Sequence, residues 1–392
     1  MKKITLFLFI ITVFSCEKTK NSENKLIHID PRTFTKNEIK LSEIAGDVKY
    51  IPLDNEFPIG VVYSYKIIGN FIYAAIKDAG VFRFTNEGIL DKQYGSIGRG
   101  PAEYVYCLKF AFDPESGTVY VMDHKMSDIE VYSKNGMHLK NISLPKDEDG
   151  FGFSDIEFYK SSLILAQYLN MGRGDYDWIV LDTLGNKIAE KKNSYLEFRG
   201  RVGGDGGLFK YGDNLGYWDK FKDTIFSISS DFTYKALCVI EPGEHRLPMT
   251  AEKYNPVKEF NKKLGKYLQG HLFLRTGNFY LYEYFFENKF RLAIIDEIEG
   301  KAKSIDLKNL EGGIINDIDN GLPFIPDVYF EKKGKDHLVS LIQPFKLKAK
   351  IASDSFKNST PKYPEKKKEL EKLANSLDEN DNPVLMLVKL KE

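Results

Sequence analysis

Short apolar runs, broken by small groups of turn-forming residues, recur along the chain. The clearest set lies between Gly95 and Pro145. There Val105–Phe112, Thr118–Asp123, Asp128–Ser133 and Met137–Leu144 carry the alternating or continuous apolar pattern of strands. Asp113-Pro114 with Ser116-Gly117, the polar Lys125–Ser127, and Asn135-Gly136 separate them, and each group is turn chemistry. Antiparallel strands at this spacing make one twisted sheet the size of a propeller blade.

The unit recurs. Anchored on its third strand at Tyr132, it has counterparts at Phe84, Leu181, Ile228 and Ile295. The successive steps are 48, 49, 47 and 67 residues, so one step contains an insertion. A period in the high forties suits a propeller and is too long for leucine-rich or tetratricopeptide repeats. The second strand recurs at Phe71–Ile76, Thr118–Met122, Leu163–Ala166, Leu215–Trp218, Phe279–Tyr282 and Leu338–Ile342. These six copies predict an all-β fold: a six-bladed β-propeller of four-stranded antiparallel blades. A ring must close or leave two open strand edges. The sixth copy lacks nearby third and fourth strands. Val384–Leu390, apolar on both sides, and Val48–Leu53 are expected to supply them, stitching the C-terminus to the N-terminus in one blade.

The Gly95–Tyr104 corner, followed by Ala-Phe-Asp-Pro, Gly117–Asp123, Ile129–Tyr132 and Asn135-Gly136, resembles the NHL-type repeat of six-bladed propellers. Only the second blade has the full glycine corner. With the Asn-Asp-Ile-Asp-Asn-Gly-Leu-Pro-Phe stretch from Asn316 and the Asn382–Lys391 tail, residues 45–391 resemble the six-bladed β-propeller lipoproteins of Bacteroidetes bacteria. The resemblance implies a fold and an address. It carries no activity and no functional residues.

Residues 1–15 read as a signal peptide, with Lys2-Lys3 as the basic region and Ile4–Phe14 as the apolar core. That run is too short to span a membrane as a helix. Val13-Phe14-Ser15-Cys16 looks like a lipobox, which makes Cys16 the lipidated residue. Residues 16–44 are a tether, polar over Glu17–Asn24, and N-terminal segment. The expected location is the cell envelope, lipid-anchored to the outer membrane and facing either the periplasm or the cell surface. Without the signal, 54 basic side chains face 56 acidic ones, so no basic footprint suggests nucleic acid. Cys107 and Cys238 both fall in strand-like runs and read as buried free thiols. No Cys/His spacing suits zinc. A monomer without cofactor is expected.

Two helices are expected as insertions. About residues 250–270, Asn255-Pro256 starts one, with Val257, Phe260, Leu264, Tyr267 and Leu268 at helical spacing and Gly270 as its stop. In residues 364–377, Pro364 opens the second, with Leu370, Leu373, Ala374 and Leu377 as its apolar stripe. Its Lys366-Lys367-Lys368 run reads as a solvated face.

Four features bear on chemistry. Gly200–Gly207 has the glycine content of a phosphate loop but lacks the Gly-Lys-Ser/Thr ending, and reads as the entry to the fourth blade. The oxygens of Asp317 and Asp319 suggest calcium, but their spacing misses the calcium-loop pattern; a turn held by side-chain hydrogen bonds is the alternative. Arg99, Glu103 and Tyr104 in the glycine corner are candidates either for ligand contact or for a structural bridge. Trp178, Tyr211, Tyr217 and Trp218 offer faces for sugar rings, or fill space between blades.

The leading expectation is a membrane-anchored binding or scaffold propeller, recognising a glycan, peptide or protein partner, an outer-membrane protein included, through its axial funnel and loops. This rests on architecture. The alternative is a metal-dependent hydrolase or lactonase, its metal held on the axis by acids such as Asp155 and Glu157. No Ser-His-Asp arrangement is legible, because triads assemble in space.

Overall fold

The structure, a computed structural model, describes residues 26–391 except 126, 146–151, 168–173, 194–204, 248–263 and 308–311. Two short strands, β1 (Ile27–Ile29) and β2 (Thr35–Lys36), precede helix α1 (Leu41–Ile44) and strand β3 (Ala45–Pro52). Five blades follow, each a meander running from axis to rim. Blade 1 holds β4 (Val62–Ile68), β5 (Phe71–Ile76), β6 (Gly80–Thr85) and β7 (Leu90–Tyr94). Blade 2 holds β8 (Cys107–Phe112), β9 (Val119–Asp123), β10 (Asp128–Tyr132) and β11 (His138–Ser143). Blade 3 holds β12 (Asp155–Tyr159), β13 (Ser162–Ala166), β14 (Tyr176–Leu181) and β15 (Lys187–Lys192). Blade 4 holds β16 (Gly206–Tyr211), β17 (Asn214–Asp219), β18 (Thr224–Ile228) and β19 (Tyr234–Ile240). Blade 5 holds β20 (Gln269–Arg275), β21 (Phe279–Phe286), β22 (Lys289–Asp296) and β23 (Ala302–Asp306).

Blade 6 begins with β24 (Val328–Lys332) and β25 (Lys335–Ile342). Helices α2 (Pro344–Ala352), α3 (Asp354–Lys357) and α4 (Pro364–Ser376) then intervene before β26 (Val384–Leu390). The order in this sheet is β24-β25-β26-β3, and β26 runs antiparallel to β3 with Met386 opposite Tyr50 and Val388 opposite Val48. The ring closes as the two chain ends predict. The third strand, β26, returns after the helices, and the N-terminal β3 supplies the outer one.

The alternation within each strand feeds two seams at once. On β5, Tyr73 and Ala75 enter the cluster against blade 2, while Ile72, Ala74 and Ile76 enter the cluster against blade 6. On β26, Val384, Met386, Val388 and Leu390 pack toward blade 5 and Leu385 toward blade 1. Strands buried on both faces must be apolar on both, which is why these runs lack a polar stripe. Among the described residues, six apolar clusters, one per seam, make up the core.

The N-terminal segment is more than a tether. β1 pairs in parallel with the rim strand β19, and β2 in parallel with β23. The chain thus crosses the rims of blades 4 and 5, in the same sense as the blades that follow, before entering blade 6. Asp317 fixes α1 by accepting from the backbone N–H of Ser42 at 2.8 Å and its hydroxyl at 2.6 Å.

Helix α4 matches its sequence expectation, with Leu370, Ala374 and Leu377 buried against the blade 5–6 seam. Lys366 reaches Asp47 at 2.9 Å and Lys367 donates to the Phe356 carbonyl at 2.6 Å, so those lysines brace the insertion and are not merely solvated. Helix α2 has the same proline start, with Leu347 and Ile351 buried four residues apart. Of the other expected helix, Val257 and Phe260 lie outside the described residues. Its supposed stop, Gly270, lies within β20, at a register shift. A side chain there would crowd Tyr282 and Trp218, at 3.1 and 3.2 Å, so close packing explains this glycine. Cys107 and Cys238 are buried free thiols.

Candidate functional site

The innermost strands β4, β8, β12, β16, β20 and β24 surround the axis and all line one cavity of about 900 Å³. Charged residues sit inside three of these otherwise apolar strands in a way that brings them together. Lys66 Nζ lies 2.5 Å from one oxygen of Glu157, and Lys210 Nζ lies 2.9 Å from the other. Lys66 belongs to blade 1 and Lys210 to blade 4, which stand opposite one another in a ring of six. The chain of charges therefore crosses the axis.

The electrostatics follow from this geometry. Burial pushes the Glu157 carboxyl up, but the charges of Lys210 and Lys66 outweigh it and hold the group down to about 2. Burial depresses the Lys66 ammonium, against the opposing pull of Glu157. The Lys66 side chain is still 22% accessible, because it faces the cavity. A charge that is poorly hydrated yet reachable interacts more strongly than one on an open surface.

Asp155 also lines the cavity, and its carboxylate accepts from the backbone N–H of Leu208 at 2.9 Å and of Ile156 at 2.9 Å. Asp327 accepts from the Tyr65 hydroxyl at 3.1 Å and the Leu341 N–H at 3.0 Å, and burial raises it to about 6. His271 faces Asp205 at 3.0 Å, and Lys220 holds the same carboxylate at 2.9 Å. Near one end of the cavity, Tyr63 and Tyr106 bring their hydroxyls within 3.3 Å, with their rings edge to face at 5.6 Å.

The nominated residues are scattered. Cys16 lies outside the described residues. Arg99 is exposed on the glycine corner. Glu103 builds that corner, accepting from Gly100 N–H at 2.7 Å and from the Ser96 hydroxyl at 3.2 Å. Tyr104 is buried; its hydroxyl accepts from Val81 N–H at 2.8 Å and donates to the Tyr94 carbonyl at 2.7 Å. Gly95, at φ +65°, is needed beneath it, since a Cβ there would meet the Tyr132 hydroxyl at 2.2 Å.

Trp178 and Tyr217 are buried together in the blade 3–4 seam, ring centres 5.0 Å apart, and offer no open face. Tyr211 is buried with its hydroxyl 2.6 Å from that of Ser227, and the Arg275 guanidinium covers its ring at 4.4 Å. Trp218 does reach the cavity wall. Of the residues offered for a metal, Asp319 accepts from the Tyr50 hydroxyl at 2.9 Å, Asn316 at 2.6 Å and Gly321 N–H at 2.7 Å. With Asp317 on Ser42, that turn is a clasp between the blade 5–6 connection and the N-terminal strand. Asp155 and Glu157 are engaged as described above. Among the described residues, no three His, Cys, Asp or Glu side chains converge as a metal would require. Of Gly200–Gly207, residues 200–204 lie outside the described residues, and Gly206 opens β16.

Sequence reasoning passed over Lys66, Lys109 and Lys210. Their signal was present: a lone lysine inside the apolar first strand of a blade, at the level where blade 3 carries Glu157. Tyr63 and Tyr106 had no such signal, because two tyrosines 43 residues apart meet only through the ring.

Comparison with known proteins places this architecture. A solved structure from Bacteroides fragilis NCTC 9343, of a protein named as exported, superposes with a TM-score of 0.71 at 17% identity, covering 94% of this chain and 100% of that one. A member of the DUF4221 family from Bacteroides vulgatus superposes with a TM-score of 0.50 at 12% identity, covering 91% of this chain and 99% of that one. At such identities the likeness is one of fold. No curated protein matches the chain. The model of a family described as a domain of unknown function, DUF4934, matches residues 25–389, and this six-bladed propeller belongs to that family.

Proposed function

We propose that this protein is a binding or scaffold propeller of the cell envelope. It is held to the outer membrane by a lipid on Cys16 and recognises a glycan, peptide or protein partner through the axial cavity and its mouth. The observation that carries this reading is the cavity itself. At about 900 Å³ it is large enough for a small ligand, all six blades contribute to it, and apolar walls alternate with a few placed polar groups. The export attributed to the Bacteroides fragilis protein of like fold agrees with the signal peptide and lipobox. The hydrolase alternative loses support where the axial acids are satisfied by lysines and backbone amides.

The test is to fill the cavity. Full-length protein in detergent is screened against immobilised glycans and peptides, alongside Leu208→Trp, which places an indole on the wall. Wild type should retain a ligand that Leu208→Trp, still folded by circular dichroism, releases. A ligand held equally by both proteins would remove the cavity from the function.

A further inference from the structure

The cavity's polar groups are unevenly satisfied. Among the described residues, four carboxylates line it: Asp155, Glu157, Asp327 and Glu331. The buried Asp155 and Glu157 and the more exposed Asp327 are supplied with donors, whereas the exposed Glu331 holds no hydrogen bond or ion pair among the described residues. Glu157 accepts from both lysines and from Phe158 N–H at 3.2 Å, while Asp155 and Asp327 each hold two donors. The ammoniums are in the opposite condition. A lysine carries three N–H donors. Lys66 and Lys210 each spend one on Glu157, and Lys109 forms no ion pair among the described residues. Lys109 is therefore the lining lysine without a counter-charge, whereas Asp155, Glu157 and Asp327 each hold at least two donors. Net charge does not distinguish the cavity; the unpaired Lys109 does.

We propose that the axial cavity takes an oxyanion, a carboxylate, sulfate or phosphate carried on a small ligand, with Lys109 as its direct partner and Lys66 and Lys210 supplying further donors. This rests on the binding reading above and names its ligand class. Oxyanions are acceptor-only and match the spare N–H groups, and charge-assisted bonds strengthen in a poorly hydrated cavity. A cationic ligand would meet the three lysines and would have to share the buried Asp155 and Glu157 with the donors they already hold. A neutral polyol would leave the Lys109 charge without a counter-ion.

Full-length protein in detergent is titrated with D-glucuronate, inorganic sulfate, inorganic phosphate and neutral D-glucose, reading melting temperature and heat of binding. At least one oxyanion should raise the melting temperature, its affinity should fall as sodium chloride rises, and D-glucose should have no effect. The ranking among the three oxyanions identifies the group the cavity prefers. Lys109→Gln should lose about tenfold or more in that affinity, the worth of one charge-assisted bond. Its melting temperature without ligand should be unchanged, and Lys109→Arg should recover binding. The proposal is overturned if no oxyanion shifts the protein at millimolar concentration, or if Lys109→Gln binds as wild type does. If D-glucose or another neutral ligand binds where the oxyanions fail, the cavity remains a binding site and this inference falls alone.

Discussion

Glu157→Gln takes the shared carboxylate out of the cross-axis chain and leaves two ammoniums facing the cavity. Two routes give its cost. By linkage, a carboxyl held at about 2 rather than near its ordinary 4.5 contributes about 3 kcal/mol at neutral pH, at about 1.4 kcal/mol per pH unit. By analogy with other buried pairs, removing one partner costs about 3–5 kcal/mol. Lys210 is 43% exposed, so water takes over much of its share and the lower end applies. We expect a loss of about 2–3 kcal/mol at pH 7, measured by urea unfolding with Trp178 and Trp218 as fluorophores. The sign with pH follows. A depressed carboxyl gives its full stabilisation above its unfolded pKa and loses it as pH falls through about 2. The gap between wild type and variant should thus narrow from pH 5 to pH 2. Lys66, already depressed by burial, loses its counter-charge in the variant. A lysine whose folded pKa is lowered binds fewer protons when folded, so the variant should gain stability relative to wild type toward high pH. Adding Lys66→Met should recover part of the loss. A variant within about 0.5 kcal/mol of wild type at pH 7, the scale of an ordinary surface substitution, would refute a stabilising role for the cross-axis chain.

Deleting residues 383–392 should unmake the ring. It removes the fully buried Val384, Leu385, Met386 and Val388 and strips β25 and β3 of their partner. At about 1.5–3 kcal/mol per side chain, the loss rivals the roughly 5–15 kcal/mol of a typical domain. The truncated protein should aggregate or melt far lower; an unchanged melting temperature in a monomer would show that the ends do not close it. Cys16→Ser should move the protein from membrane to soluble fractions, and full retention in membranes would end the lipoprotein reading.

Period and patterning carried the fold because every blade repeats the same burial problem. Each strand must be apolar on two faces to fill two seams, and that requirement marked six second strands and the closing Val384–Leu390 from the sequence alone. The rim left less trace. β1 and β2 are only three and two residues long, and they pair in parallel with strands far along the chain, so no local pattern announces them. Gly270 shows how a punctuation residue misleads: it looked like a helix stop, whereas the aromatic rings packed over it are what exclude a side chain.

The site was less legible than the fold for a related reason. Large aromatics draw the eye as ligand platforms, yet a propeller needs them to fill wedge-shaped gaps between blades, where Trp178 and Tyr217 lie. The informative residues were the ones that violate the core pattern. A lysine in the middle of an innermost strand disrupts an apolar run that the seams would otherwise want. It is tolerated only where the axis offers water, a counter-charge or a ligand. Lys66 and Lys210 found the counter-charge in Glu157, from a third blade, and no reading along the chain brings the three together. Lys109 has no carboxylate of its own among the described residues, which leaves it open to water or to the oxyanion proposed above.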